Sequence, residues 1–330
     1  MGGLLALLVV VGTAMGSVTV PWADTAAVLL AKLGFPVGPV DAKWDSIIFL
    51  VRLPRVLGAA LIGAALAVSG AVMQGLLRNP MADPGIIGVS AGAGFGAVLA
   101  LSFGFAAQAV WSLPLFASLG SLTATAIIFV LSIRRGAVGL FTLLLAGLAV
   151  STFFAAGTSL VLTFASRDNI AQFLFWAMGN LAGVRWESLA LVVVPIAVGL
   201  ALLLVFGREL NVLLLGELEA RSLGLNVFAV RMALLVLVSV TTASAVCISG
   251  PIGFIGLIVP HILRLLLGPD HRLLLPASAL GGACFLVACD LVARLVLANQ
   301  EVNVGIVTAL LGAPYFVFVL VRSEKRESGL

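Results

Sequence analysis

The sequence predicts an all-α, polytopic membrane fold of about ten transmembrane helices, and three observations lead there. First, the 330 residues are 62% hydrophobic and only 10% charged. A soluble domain carries about 25% charged residues and could not keep so much apolar surface from water. Second, the apolar residues form long unbroken runs, not the alternation of a barrel strand, so helices must satisfy the backbone inside the bilayer. Third, polar residues, glycine and proline punctuate these runs at a spacing of roughly 30 residues, one crossing plus its connection. The whole chain, 1–330, reads as one transmembrane domain.

The first run, 4–20, reads as a span and not a signal peptide, because Met1-Gly2-Gly3 supplies no positive leader. The next spans are 56–77, 86–105, 113–133 and 140–164, then 189–206, 227–248, a short one at 252–266, 273–297 and 304–321. Small residues recur through them, as at Gly58, Gly63 and Gly70, letting helix backbones approach where lipid offers no hydrophobic drive. Two longer polar segments interrupt the runs. Residues 21–43 are expected to contain a short surface helix. In 165–187, the stretch 170–178 is a helix too short to span, broken by Gly179, Asn180 and Gly183.

Charge sets the expected orientation. With both termini in the cytoplasm, eleven of the eighteen Lys and Arg fall inside, Arg78, Arg135, Arg208 and Arg231 among them. Seven fall outside: Lys32, Lys43, Arg52, Arg55, Arg167, Arg185 and Arg294. That bias is the one positive-inside loops show. It leaves no basic stretch interleaved with aromatics, so nucleic acid is not an expected partner. Cys247, Cys284 and Cys289 lie in apolar surroundings without metal-ligand spacing and read as small buried residues. No G-x-x-x-x-G-K-[ST] loop occurs, so any ATPase must be another polypeptide. No nucleophile–base set or paired intramembrane carboxylates provide enzyme chemistry. Asp290 and Arg294, one helical turn apart and able to pair, are the nearest candidates for the ion coupling that a self-contained secondary transporter needs.

Five segments carry more structure than plain loops need. Arg52-Leu53-Pro54-Arg55 stands at the outer start of the second span, either snorkelling to lipid phosphate or forming an exposed fork for a partner's carboxylates. Residues 74–85 hold Pro80 and Pro84 in a rigid inner turn. In the inner loop 216–226, Glu217 and Arg221 form an i,i+4 pair supporting a short helix, which Gly224 ends. Residues 249–261, with glycines at 250, 253 and 256 and prolines at 251 and 260, cannot be an ordinary straight helix. The fifth is 305–314 in the last span.

Taken together these stretches resemble the FecCD family of ABC importer permeases, which serve ferric siderophores, haem and cobalamin. The resemblance rests on RLPR at 52–55, LRNPMADPGIIGVSAGAG at 77–94, LLLAG at 143–147, ARSLGLNV at 220–227, SGPIGFIGLIVPHILR at 249–264 and GIVTALLGAPYFVFVL at 305–320. It implies a type II importer permease fold in the cell inner membrane. The implied partners are a second copy of the chain, two ATP-binding cassette subunits that use ATP and Mg, and a periplasmic or lipid-anchored substrate-binding protein. The cargo would be a metal chelate, with an iron complex the leading reading and cobalamin the alternative, and the permease itself would bind no cofactor. By resemblance, Arg52, Arg55 and Arg294 receive glutamates of the binding protein. Glu217, Glu219, Ala220, Arg221, Ser222, Leu223, Gly224, Leu225 and Asn226 seat in the ATPase. Asn79 and Met81, with Leu140 and Phe141, close the cytoplasmic gate. At Leu140 and Phe141 the chain departs from the cobalamin importer, where polar residues occur in that part of the gate.

Overall fold

In the computed structural model, which describes residues 1–16, 18–36, 38, 40–134, 137–297 and 300–327, every predicted apolar run forms a helix. Arg135, counted above among the inner cations, lies outside the described residues. Six helices are long and apolar enough to cross a membrane, and four shorter apolar helices fill the other four predicted positions. In chain order the helices longer than one turn are α1 (Gly2–Ala14), α2 (Trp22–Lys32), α3 (Ala42–Leu77), α4 (Val89–Ser102) and α5 (Ser112–Ser132). They continue with α6 (Leu140–Phe164), α7 (Arg167–Ala177), α8 (Trp186–Val205), α9 (Gly207–Leu215), α10 (Glu217–Ser222), α11 (Val227–Ser249), α12 (Ile255–Leu267), α13 (His271–Leu295) and α14 (Val304–Glu327). A two-residue antiparallel ribbon, Ile133–Arg134 against Ala137–Val138, joins α5 to α6, with Ile133 opposite Val138.

The pillar of the bundle is α3, with 83% of its apolar window buried, against 22% for the peripheral α6. Glycine explains how α3 acquires so many neighbours. A Cβ on Gly63 would lie 2.2 Å from the Gly282 carbonyl oxygen of α13, and one on Gly70 would strike the Gly256 carbonyl of α12. Two helices therefore meet α3 backbone to backbone, the arrangement small residues permit in lipid.

At two of the prolines inside helices, side chains from other helices meet a carbonyl that the missing N–H leaves without a partner. Pro54 lies inside α3. Ahead of it the helix widens into a π-turn over Ser46–Arg52, where Leu53 N–H donates to the Ile48 carbonyl. In that register the Phe49 carbonyl would need the N–H that Pro54 lacks, and the Trp186 indole N–H donates to it at 2.7 Å. Pro260 in α12 likewise cannot donate to the carbonyl four residues earlier. Gln74 Nε2 donates to that carbonyl, Gly256, at 3.1 Å and to Leu257 O at 3.2 Å, while Gln74 Oε1 accepts from Arg264 at 2.8 Å. Gln74→Leu should therefore destabilise the detergent-solubilised protein by about 1–3 kcal/mol for the buried acceptors left unmet, seen as a lower melting temperature. An unchanged melting curve would refute this role.

The second span departs from expectation. The helix begins at Ala42, not near residue 56, so Arg52 and Arg55 lie within it instead of at its start. The π-turn is the reason: it accommodates Pro54, which read from sequence looks like a helix beginning. The first span also differs. It ends at Ala14 because arginines from α3 and α13 occupy its last carbonyls, as described below. The expected short helices are present as α2 and α7.

Candidate functional site

One end of the bundle gathers five charged side chains from α3, α13 and the segment after it. Arg55, Asp290 and Arg294 are buried. Arg55 Nε donates to Asp290 Oδ1 at 2.9 Å and Arg55 Nη1 to Glu301 Oε2 at 2.6 Å. Arg294 Nε approaches Asp290 Oδ2 at 3.1 Å, so one fully buried carboxylate sits between two guanidiniums. The pairing of Asp290 with Arg294 expected from their one-turn spacing is present.

The same arginines hold the end of α1. Arg294 Nη1 donates to Gly12 O at 2.9 Å and Met15 O at 3.0 Å. Arg52 Nη1 donates to Ala14 O at 2.5 Å and Thr13 O at 3.3 Å, and its Nη2 donates to Val18 O. A helix ends with unpaired carbonyls that carry partial negative charge, and two guanidiniums of α3 and α13 satisfy them. The expected exposed fork at Arg52 and Arg55 is thus not what the fold builds. Both side chains are buried, bonded to carbonyls and carboxylates of the same chain. The three arginines that the family resemblance groups, Arg52, Arg55 and Arg294, lie at this one end, whereas Glu301, 246 residues from Arg55 and sharing no helix periodicity with it, is not reached from sequence.

At the opposite end of α3, the loop 216–226 has the predicted form. Arg221 Nη2 donates to Glu217 Oε1 at 2.6 Å, and Arg231 of α11 donates to Glu217 Oε2 at 2.9 Å. The Arg231 hydrogen bond, aided by the charges of Arg231 and Arg221, holds the Glu217 carboxyl below the usual glutamate range against the opposing effect of burial. Leu225 N–H reaches back to Ala220 O at 3.0 Å across the left-handed Gly224, and Asn226 caps α11 by accepting from the Ala229 N–H. Ala220 is buried, whereas Leu218 (79% exposed) and Leu223 stand out from a short polar helix.

The turn after α3 begins with Arg78 in a left-handed conformation, its guanidinium donating to Leu213 O of α9 at 2.6 and 3.1 Å. Asn79 Oδ1 then accepts from Met81 N–H at 2.9 Å. Of the other two expected gate residues, Leu140 opens α6 and Phe141 exposes most of its ring (74%). No hydrogen bond joins the two pairs among the described residues.

From this turn the chain runs back into the bundle. Pro84 packs beside Gly256, and Gly256 in turn lies against Leu66 and Gly70. Those positions on α3 lie roughly 10–16 Å short of Leu77 at 1.5 Å per residue. A 3₁₀ turn, Pro84–Ile87, then starts α4 at depth. The extended residues 250–254 form a second non-helical stretch beside it, with Gly250 and Phe254 at positive φ. Irregular backbone at membrane depth persists only where protein or a cavity surrounds it.

Comparison with known proteins agrees with this architecture. A model of the FecCD transport family matches residues 4–322. The chain is 45% identical over 306 residues, 93% of its length and 81% of the relative's, to the cobalamin import system permease protein BtuC of Halobacterium salinarum. It is 45% identical over 293 residues, 88% of its length and 87% of the relative's, to the hemin transport system permease protein HmuU of Yersinia pestis. A solved structure of an inward-facing metal-chelate type ABC transporter superposes with a TM-score of 0.85 at 35% identity, covering 97% of both chains.

Proposed function

Because the chain belongs to the FecCD transport family, we propose that it forms the translocation pathway of an importer whose cargo is an iron complex, a ferric siderophore or haem. The protein is a multi-pass helical ABC importer permease, a transport subunit and not an enzyme. The iron-complex reading rests on the apolar pair Leu140–Phe141 at the opening of α6, together with the 45% identity to a hemin permease. Cobalamin is the second reading, supported by equal identity to a cobalamin permease.

In the proposed assembly two copies meet through apolar faces such as that of α6, where Phe141, Phe153 and Phe164 are exposed. The membrane is the cell inner membrane, with both termini cytoplasmic. Two ATPase subunits, which use ATP and Mg, seat on residues 217–226, and the exposed Leu218 and Leu223 fit such a contact. A periplasmic or lipid-anchored binding protein docks over Arg52, Arg55 and Arg294 through its own carboxylates. Since Glu301 occupies Arg55 Nη1, a docking carboxylate exchanges with Glu301. Asn79, Met81, Leu140 and Phe141 close the inner gate. ATP drives the cycle only by binding the alternating packed states unequally.

Reconstitution of the permease with its ATPase and binding protein in liposomes tests this reading. Radio-iron haem or ferric siderophore should accumulate only with ATP at the ATPase face. Accumulation by the permease alone would overturn the assembly, and accumulation of cobalamin but no iron complex would replace the cargo.

A further inference from the structure

The two stretches of irregular backbone enclose a cavity of about 80 Å³, several times the ~10–15 Å³ that one water needs. Its wall brings together Asp83 and Pro84 of the re-entrant turn, Ser90 of α4, Thr242 of α11, and Pro251 and Gly253 of the extended stretch. The Asp83 carboxylate accepts the Gly85 N–H at 2.7 Å and joins no ion pair among the described residues. Thr242 is 2% exposed, and its hydroxyl has no hydrogen-bond partner among the described residues. A Cβ built on Gly85 would lie 2.8 Å from Asp83 Oδ1 and 3.8 Å from Ser90 Oγ, so both oxygens converge on one part of the wall.

Asp83 is half-buried; a carboxylate drawn partly out of water without a countercharge is costly, and in membrane proteins such a group marks a site. The donor set is oxygen alone: one carboxylate, two hydroxyls and the carbonyls of an unwound stretch. Broken helices supply that set to sodium ions in membranes. One negative charge matches one positive charge. Calcium needs six to eight oxygens, commonly with several carboxylates, and soft metals need sulfur or imidazole. Among the described residues no group of three His, Cys, Asp or Glu could hold a metal ion.

We propose that this cavity binds one monovalent cation of about sodium's size through Asp83, Ser90, Thr242 and the backbone of residues 251–253, which line it. The bound ion ties the re-entrant turn that starts α4 to the break between α11 and α12. The proposal is independent of which cargo the permease carries, and it can be tested on the purified chain without its partners.

Sodium alone is the probe. The full chain in detergent is titrated with Na⁺ replacing N-methylglucammonium at fixed ionic strength and pH, and ²²Na⁺ binding and thermal unfolding are read together. Saturable binding at one ion per chain and a saturable rise in melting temperature are expected. Asp83→Asn, which keeps an oxygen for the Gly85 N–H, should abolish both, and Thr242→Val should weaken binding about fivefold, the loss of one modest oxygen contact. Should Asp83→Asn fail to fold, Thr242→Val and Ser90→Ala carry the test. Absence of saturable binding, equal binding by the variants, or a melting temperature that follows pH and ignores Na⁺, as a protonated Asp83 would produce, overturns the proposal.

Discussion

Asp290→Ala is expected to prevent accumulation of folded protein, or to lower its stability by at least the ~3–5 kcal/mol that follows removal of one partner from a buried ion pair. The reason is geometric. Asp290 is fully buried and is the carboxylate shared by Arg55 and Arg294. Its loss leaves two guanidiniums in a low-dielectric site without the carboxylate they share. The same arginines hold the end of α1, so damage should spread to that helix. A double-mutant cycle with Asp290→Asn and Arg294→Gln, read by thermal unfolding in detergent, should show the double variant less damaged than the sum of the singles. Strict additivity would mean the pair is not coupled. This geometry also changes how docking must be probed. Charge reversal at Arg55 would set a new carboxylate against Asp290 and unfold the site, so lost docking would say nothing about a partner. Arg55→Lys preserves the charge and is the cleaner variant.

Gly63→Ala should be nearly as damaging, although it adds a single methyl group. That carbon would sit 2.2 Å from the Gly282 carbonyl oxygen and 2.8 Å from Leu286 Cβ. The atoms it strikes are backbone and the root of a side chain, so no rotamer change relieves the clash. The α3–α13 pair, the most extensive helix contact in the bundle, would have to separate. Overpacking ordinarily costs about 1–3 kcal/mol, and a backbone crossing stands at or above the top of that range. Gly94→Ala provides the control. There a Cβ meets only the Phe173 ring edge at 4.0 Å, so the gain in helix propensity, up to ~1 kcal/mol, should leave stability unchanged or higher. Equal effects at the two glycines would refute the close-approach account.

The division between what could be read and what had to be seen follows from the range of the interactions involved. Apolar runs, helix ends at Gly224, the Glu217–Arg221 pair and the Asp290–Arg294 pair are local. They act over one or two turns, so the amino-acid sequence by itself determined the helical class, the ten apolar segments and the family resemblance. The start of α3 and the end of α1 escaped it, because Trp186 completes the ladder around Pro54 from 137 residues away and Arg294 caps α1 from 282 residues away. Tertiary structure alone decided that Arg52 and Arg55 are buried and not presented to solvent. It alone paired Gln74 with the carbonyl that Pro260 leaves unmet, and it alone enclosed Asp83 with Thr242. In each case a charge or backbone group that must leave water finds its partner on a distant helix, and sequence spacing carries no record of that encounter.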